Sequence, residues 1–151
     1  LLEKGEDIKV VLVGDGKLRH AIERQINEHK LTGRIFILGY RSDVLSILAN
    51  AQVFMLPSNI EGLPAVILEA MYSRVPVVTY NVGGISEVVK PGDTGWLVPA
   101  GDEAAFVEAL QEVLHDSRKE VVIDNAYKLI TSEYDNRIIA KRFLEVYRKI
   151  I

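Results

Sequence analysis

Cysteine is absent from the 151 residues, which removes disulfides, thiolate metal sites and cysteine nucleophiles and fits a reducing compartment. A surplus of basic charge is absent too. Eighteen Lys and Arg stand against 21 Asp and Glu, for a net charge of -3 and a pI near 5.7, so no general cationic field is available to hold nucleic acid. Apolar runs are short, as in Val10–Val13 and Ala65–Leu68, far below the roughly 20 residues that span a bilayer. An initiator Met and a signal pattern are missing from the opening LLEKGED, where Gly5 reads as the stop of a helix; the expectation is an excised domain.

Several chemical signatures are missing as well. VGDGKLR follows an apolar run, but Arg19 stands where a dinucleotide fingerprint needs its third glycine. No glycine loop leads into Lys-Ser or Lys-Thr, so a Walker-type phosphate site is excluded. His20, His29 and His115 are far apart and form no metal-ligand spacing, and no Asp-x-Asp pair is present to carry a divalent ion. GISEV at 84–88 lacks the closing glycine of a nucleophile elbow. A phosphoacceptor receiver domain is disfavoured because the third strand runs into Leu56-Pro57-Ser58 instead of an exposed Asp.

What is present is 48% hydrophobic residues and 26% charged ones, enough for one domain with a substantial core. Ile8–Val13 reads as a strand buried on both faces and ended by Gly14. A helix follows from Lys17 to about Thr32-Gly33, with Leu18, Ala21, Ile22, Gln25, Ile26 and His29 at three- and four-residue spacing. Ile35–Leu38 is a second strand, stopped by Gly39. Ser42 should cap a short helix with Val44, Leu45, Ile47 and Leu48 inward. Strands over Gln52–Leu56 and Val75–Tyr80 flank a helix opening on Pro64 and running to about Ser73. A turn at Gly83-Gly84 starts a brief helix over Ile85–Val89, and Trp96–Val98 is a last strand. Asp102 caps a helix with Ala105, Phe106, Ala109, Leu110 and Val113 inward. Another helix runs near Arg118–Ile130, and a third carries Ile138, Ile139, Phe143 and Tyr147. The alternation predicts an α/β, Rossmann-like parallel sheet flanked by helices over residues 8–100, with a helical segment over 102–151.

The informative stretch is PSNIEGLPAVILEAM, in which a strand ends, a polar loop turns, and a helix opens with seven residues separating Glu61 from Glu69. Backbone N–H groups near Gly62, Leu63 and the turn after Pro64 should be unpaired there, and the helix dipole adds partial positive charge. Such a terminus can hold a phosphate without a basic side chain. Glu61 can reach outward to sugar hydroxyls, and Glu69 can accept from a ribose diol. Two glutamates at this spacing are by themselves ordinary solvated residues. Glu69, however, sits among Val66, Ile67, Leu68, Ala70 and Met71, where a carboxylate needs a defined partner.

These residues resemble the donor-binding, C-terminal half of retaining glycosyltransferases of the GT-B fold, especially glycosyltransferase family 4. VVLVGDGKLR, IFILGY, AQVFMLPSNIEGLPAVILEAM, VPVVTYNVGGISEVV and DTGWLVPAGD follow that order from about residue 8 to residue 115. The resemblance implies that Glu61 bonds the transferred sugar and Glu69 the nucleotide ribose. The amides of Gly62 and Leu63 would approach the diphosphate, the Gly14–Gly16 turn would touch the donor, and Gly39, Tyr40 and Arg41 would lie by the base. Gly83 and Gly84 match a loop facing the cleft, and equally suit a purely structural turn. The resemblance further implies a nucleotide-sugar substrate linked to UDP, GDP or ADP, no cofactor and no metal. It also implies an N-terminal acceptor-binding domain as partner, and a cytoplasmic location with any attachment to the inner face of a membrane carried by that other half.

The family places an Arg and a Lys on an upstream strand-helix unit that neutralises the diphosphate, and no residue here matches them; neither Lys17 nor Arg19 is assigned that role. With that first unit missing, Ile8–Val13 and Val53–Leu56 should lack a common neighbour in a 3-2-1-4-5-6 sheet. Exposed strand edges would then favour self-association. The leading expectation is a donor domain of a transferase, inactive in isolation. A nucleotide-sugar 2-epimerase of the same architecture and a non-catalytic binding or scaffold module are the alternatives, and EGLPAVILE speaks against the epimerase.

Overall fold

In the computed structural model, which describes residues 1–2 and 5–150, strands and helices alternate as the hydrophobic pattern requires. The order is β1 (Val10–Val13), α1 (Arg19–Glu28), β2 (Ile35–Gly39), α2 (Val44–Leu48), β3 (Phe54–Leu56), α3 (Ala65–Tyr72), β4 (Val77–Tyr80), β5 (Trp96–Val98), α4 (Glu103–His115), α5 (Lys119–Glu133) and α6 (Asn136–Ile150). A 3-10 turn at Ile85–Glu87 lies between β4 and β5. The expected helix end before Gly5 falls partly on Glu3 and Lys4, outside the described residues.

The strands form two parallel ladders, β1-β2 and β3-β4-β5. The chain correspondingly forms two units, Leu1–Val44 and Leu45–Ile151. In the first, Val10 pairs with Ile35 and Leu12 with Ile37. Val10, Leu12 and Ile35 share a groove with Ile22 and Ile26 of α1. The opposite face is bare: Val11 is 45% exposed and Val13 41%, with Phe36 and Leu38 similarly open. The expectation of a strand buried on both faces therefore fails for β1, because α1 covers only the side of Val10 and Leu12. Leu18 is 70% exposed, against the expected stripe. It occupies the N-cap of a helix that starts one residue later and so stands off the buried face. The helix also ends earlier than expected, at Glu28, and the chain reverses through Lys30 at φ 55°. Leu45 of α2 is likewise exposed, and Leu48 alone of that helix is buried.

In the second unit β4 is the middle strand, and all four of its residues are buried. Here the continuous apolar run VVTY does mean two covered faces. Val78, Tyr80, Trp96, Val98, Phe106, Val113 and Val122 form one cluster, and the ring of Phe106 meets that of Tyr80 edge-on at 5.0 Å. Each fully buried Val contributes on the order of 1.5–3 kcal/mol relative to exposure. The cap at Asp102 is as predicted: its side chain accepts from the Ala105 amide at 2.9 Å. α3 packs against α5, where the Tyr72 and Tyr127 rings lie 5.8 Å apart and Arg74 stacks over Tyr127 and pairs with Asp124 at 2.6 Å. α6 contributes no buried residue and leaves Phe143, Leu144, Val146, Tyr147 and Ile150 exposed.

Candidate functional site

The loop that leaves β3 starts from a fixed point. Leu56 pairs with Thr79 in the β3-β4 ladder, and the fully buried Thr79 hydroxyl donates to the Leu56 carbonyl at 3.0 Å. The sequence reading passed over Thr79; a lone hydroxyl within VPVVTY, which must find an acceptor once buried, was the signal. From there the chain runs through Pro57–Leu63 into α3. Pro64 proves to be the N-cap and not the first helical residue: its ψ of 127° is extended, and α3 begins at Ala65. No side chain caps this end. The Ile67 amide bonds the Pro64 carbonyl at 3.1 Å. Among the described residues, the amides of Gly62, Leu63, Ala65 and Val66 have no acceptor in the chain. Four N–H groups around an uncapped helix start make a concentrated set of donors with the positive end of the helix dipole behind them.

Glu61 precedes these donors and Glu69 lies on α3. Both are half-buried, and neither carboxylate has a hydrogen-bond or ion-pair partner among the described residues. Among the described residues none is the partner expected for Glu69. The Gly62 carbonyl is engaged instead, accepting from the Gly84 amide at 2.8 Å, so the Gly83-Gly84 turn and the Glu61-Gly62 loop are held together. The groove between α5 and α6, lined by Leu129, Tyr134, Ile139 and Phe143 among others, contains none of the predicted site residues.

The other predicted residues fall in the first unit, at the C-terminal ends of its two strands. Gly14 donates to the Gly39 carbonyl at 2.8 Å, which joins the two turns. The Gly16 amide is occupied by the Asp15 carboxylate at 2.8 Å, and Arg19 is bound to Glu23 at 3.0 Å and to Asp15 at 3.5 Å. Tyr40 is 83% exposed, presenting a flat apolar surface with nothing stacked on it. Arg41 is held in a fork by Asp43, at 2.8 and 2.6 Å, a pairing that spacing alone did not announce.

That fork has a titration signature. The hydrogen bond from Arg41 holds the Asp43 carboxyl below its ordinary 3.8, outweighing the upward push of desolvation. A depressed folded-state value means stabilisation present above the unfolded pKa and lost as pH falls through the folded one. Carbon-detected NMR titration should place Asp43 below 3.8, and Arg41→Ala should return it upward. An unchanged midpoint would show that the fork does not persist in solution.

Residues 1–129 match the family described as glycosyl transferases group 1. The chain is 31% identical over 153 residues to alpha-D-kanosaminyltransferase of Streptomyces kanamyceticus, covering 99% of this chain and 40% of that protein. It is 35% identical over 132 residues to N-acetyl-alpha-D-glucosaminyl L-malate synthase of Bacillus anthracis, covering 84% and 35%. Among solved structures, HepE of Anabaena in complex with UDP superposes with a TM-score of 0.88 at 26% identity, over 94% of this chain and 41% of that one. The same protein has also been solved with UDP-glucose. The chain thus spans about 40% of the length of curated relatives such as the kanosaminyltransferase.

Proposed function

Since the chain belongs to the glycosyl transferases group 1 family, we propose that it is the part of the enzyme that grips the nucleotide-sugar donor while a glycosyl group passes to an acceptor hydroxyl with its anomeric configuration retained. The observation that carries this reading is the coincidence of four unpaired amides at the start of α3 with two half-buried, unpartnered carboxylates in the same segment. The amides of Gly62, Leu63, Ala65 and Val66 receive the diphosphate and meet the charge that develops as it departs, which is where fixed donors lower a barrier. Glu61 bonds the hydroxyls of the transferred sugar and fixes its orientation. Glu69 accepts from the ribose diol. In the first unit, the exposed ring of Tyr40, with Gly39 and Arg41 beside it, offers a surface on which a nucleobase can stack.

In this reading the diphosphate is held by backbone N–H groups, without a metal. The acceptor and the group that takes its proton belong to an N-terminal domain of the full-length protein. HepE supplies the nearest support for a uridine nucleotide, since it was solved with UDP and UDP-glucose. The relatives named above are a transferase and a synthase that bear glycosyl-group names, which favours transfer over epimerisation.

Titrating UDP, GDP and ADP into the full-length protein tests the reading. One of them should give saturable heat, and Glu69→Ala should weaken that binding by about tenfold or more, the loss expected for hydrogen bonds to a charged acceptor. Heat from none of the three would remove the donor site. Binding unchanged by Glu69→Ala would remove the ribose assignment alone.

A further inference from the structure

The turn that follows β4 reaches back to the loop that follows β3. Gly83 has φ 54°, and a methyl group built on it would stand 1.9 Å from the Glu61 carbonyl oxygen and 2.8 Å from that of Gly62. Real Cβ atoms do not approach so closely, and the obstacle is backbone, which cannot swing aside as a side-chain tip does. Next to it the Gly84 amide holds the Gly62 carbonyl at 2.8 Å. The bare Cα at Gly83 and the amide at Gly84 therefore fix where the Glu61-Gly62 peptide lies.

From this we infer that Gly83 is a positioning residue for the transfer reaction, acting through Glu61: its missing side chain lets the peptide that bears Glu61 settle at one depth and angle beside the Gly83-Gly84 turn. The inference rests on the assignment of Glu61 to the sugar given above. It concerns turnover more than donor affinity. The displaced peptide carries the sugar ligand and one of the four diphosphate amides, that of Gly62, whereas Ala65, Val66 and the ribose ligand Glu69 lie further along, in α3. The left-handed backbone by itself does not distinguish the position, because Gly92 has φ 71° and nothing within 4 Å of a built Cβ. Gly92 is a control with the same backbone strain and no steric consequence.

The test uses the full-length enzyme with Gly83→Ala, Gly92→Ala, Glu61→Ala and the Gly83→Ala/Glu61→Ala pair. Gly83→Ala should lower kcat by about a hundredfold, the scale of a displacement near 1 Å at a reacting group, with the donor KM changed by about tenfold at most, the share of one of the four amides. Gly92→Ala should lose only the stability that a left-handed backbone costs an alanine and keep kcat. In the double variant the Gly83→Ala effect should largely vanish, because the group it positions is gone. Equal losses from Gly83→Ala and Gly92→Ala, or a full Gly83→Ala effect that persists without Glu61, would overturn the inference. If Gly83→Ala does not fold, Gly84→Pro serves in its place: φ -86° lies close to the proline range, the amide bound to Gly62 is lost, and the ring carbon that replaces its hydrogen pushes the Gly62 carbonyl away while residue 83 stays glycine. It should reproduce the kcat loss and the non-additivity with Glu61→Ala, and simple additivity there would sink the proposal. Should Glu61→Ala itself retain turnover, the sugar assignment fails first, and that outcome is distinct from a failure at Gly83 alone.

Discussion

Replacing Glu61 by alanine in the full-length enzyme should reduce kcat by two to three orders of magnitude, about 2.7–4 kcal/mol of barrier, while the donor still binds. Glu61 stands before the amide cluster and not within it, so its removal leaves the diphosphate donors of Gly62, Leu63, Ala65 and Val66 in place. On the proposed reading, what goes is the group that orients the sugar between leaving group and acceptor, and orientation is a large part of what a donor-binding site contributes. Steady-state kinetics with varied donor separates the two contributions: a fall in kcat at near-constant KM supports the role, whereas a rise in KM with kcat intact would make Glu61 a mere affinity contact. Glu61→Gln, which keeps the shape and loses the charge, should recover part of the loss if hydrogen-bond geometry is what matters.

A second large effect is expected far from the loop. Phe106 of α4 is 6% exposed and meets the Tyr80 ring edge-on at 5.0 Å, so it joins the helical layer to the middle strand. Phe106→Ala should cost about 3–5 kcal/mol, combining lost burial, the ring contact and the cavity left behind. For a chain of this length that is a fall in Tm on the order of 10 °C. Thermal unfolding followed by circular dichroism reads it directly. A shift under about 3 °C would mean that neighbouring side chains collapse into the space and that the cluster is less tightly packed than its burial suggests.

Most of the fold was legible because the strands and helices are set by local pattern. VVTY, FML and WLV are strand-forming runs between glycine and proline punctuation, and Asp102 announces its helix through a cap that needs only three residues to form. The candidate loop was legible for a similar reason. A proline beside a helix start and carboxylates on either side of it are chemistry written within nine consecutive residues. Failures occurred where the answer depends on what lies across space. The run Ile8–Val13 is as apolar as Val75–Tyr80, yet Val11 and Val13 are open and all of β4 is buried. Hydrophobicity records that a face is meant to be covered, and α1 covers only one. The fork of Arg41 on Asp43 and the contact of Gly84 on Gly62 depend on how a turn closes, and side-chain spacing carries no record of that.

The hydroxyl of Thr79 has a consequence that reaches beyond packing. It sits at zero exposure in the middle strand and holds the last carbonyl of β3, from which the Glu61 loop departs. One oxygen atom thereby ties the buried middle strand to the segment that carries Glu61. Removing it, as in Thr79→Val, would free the point of departure of that loop as well as loosen the strand, so a single interior change is felt at the surface.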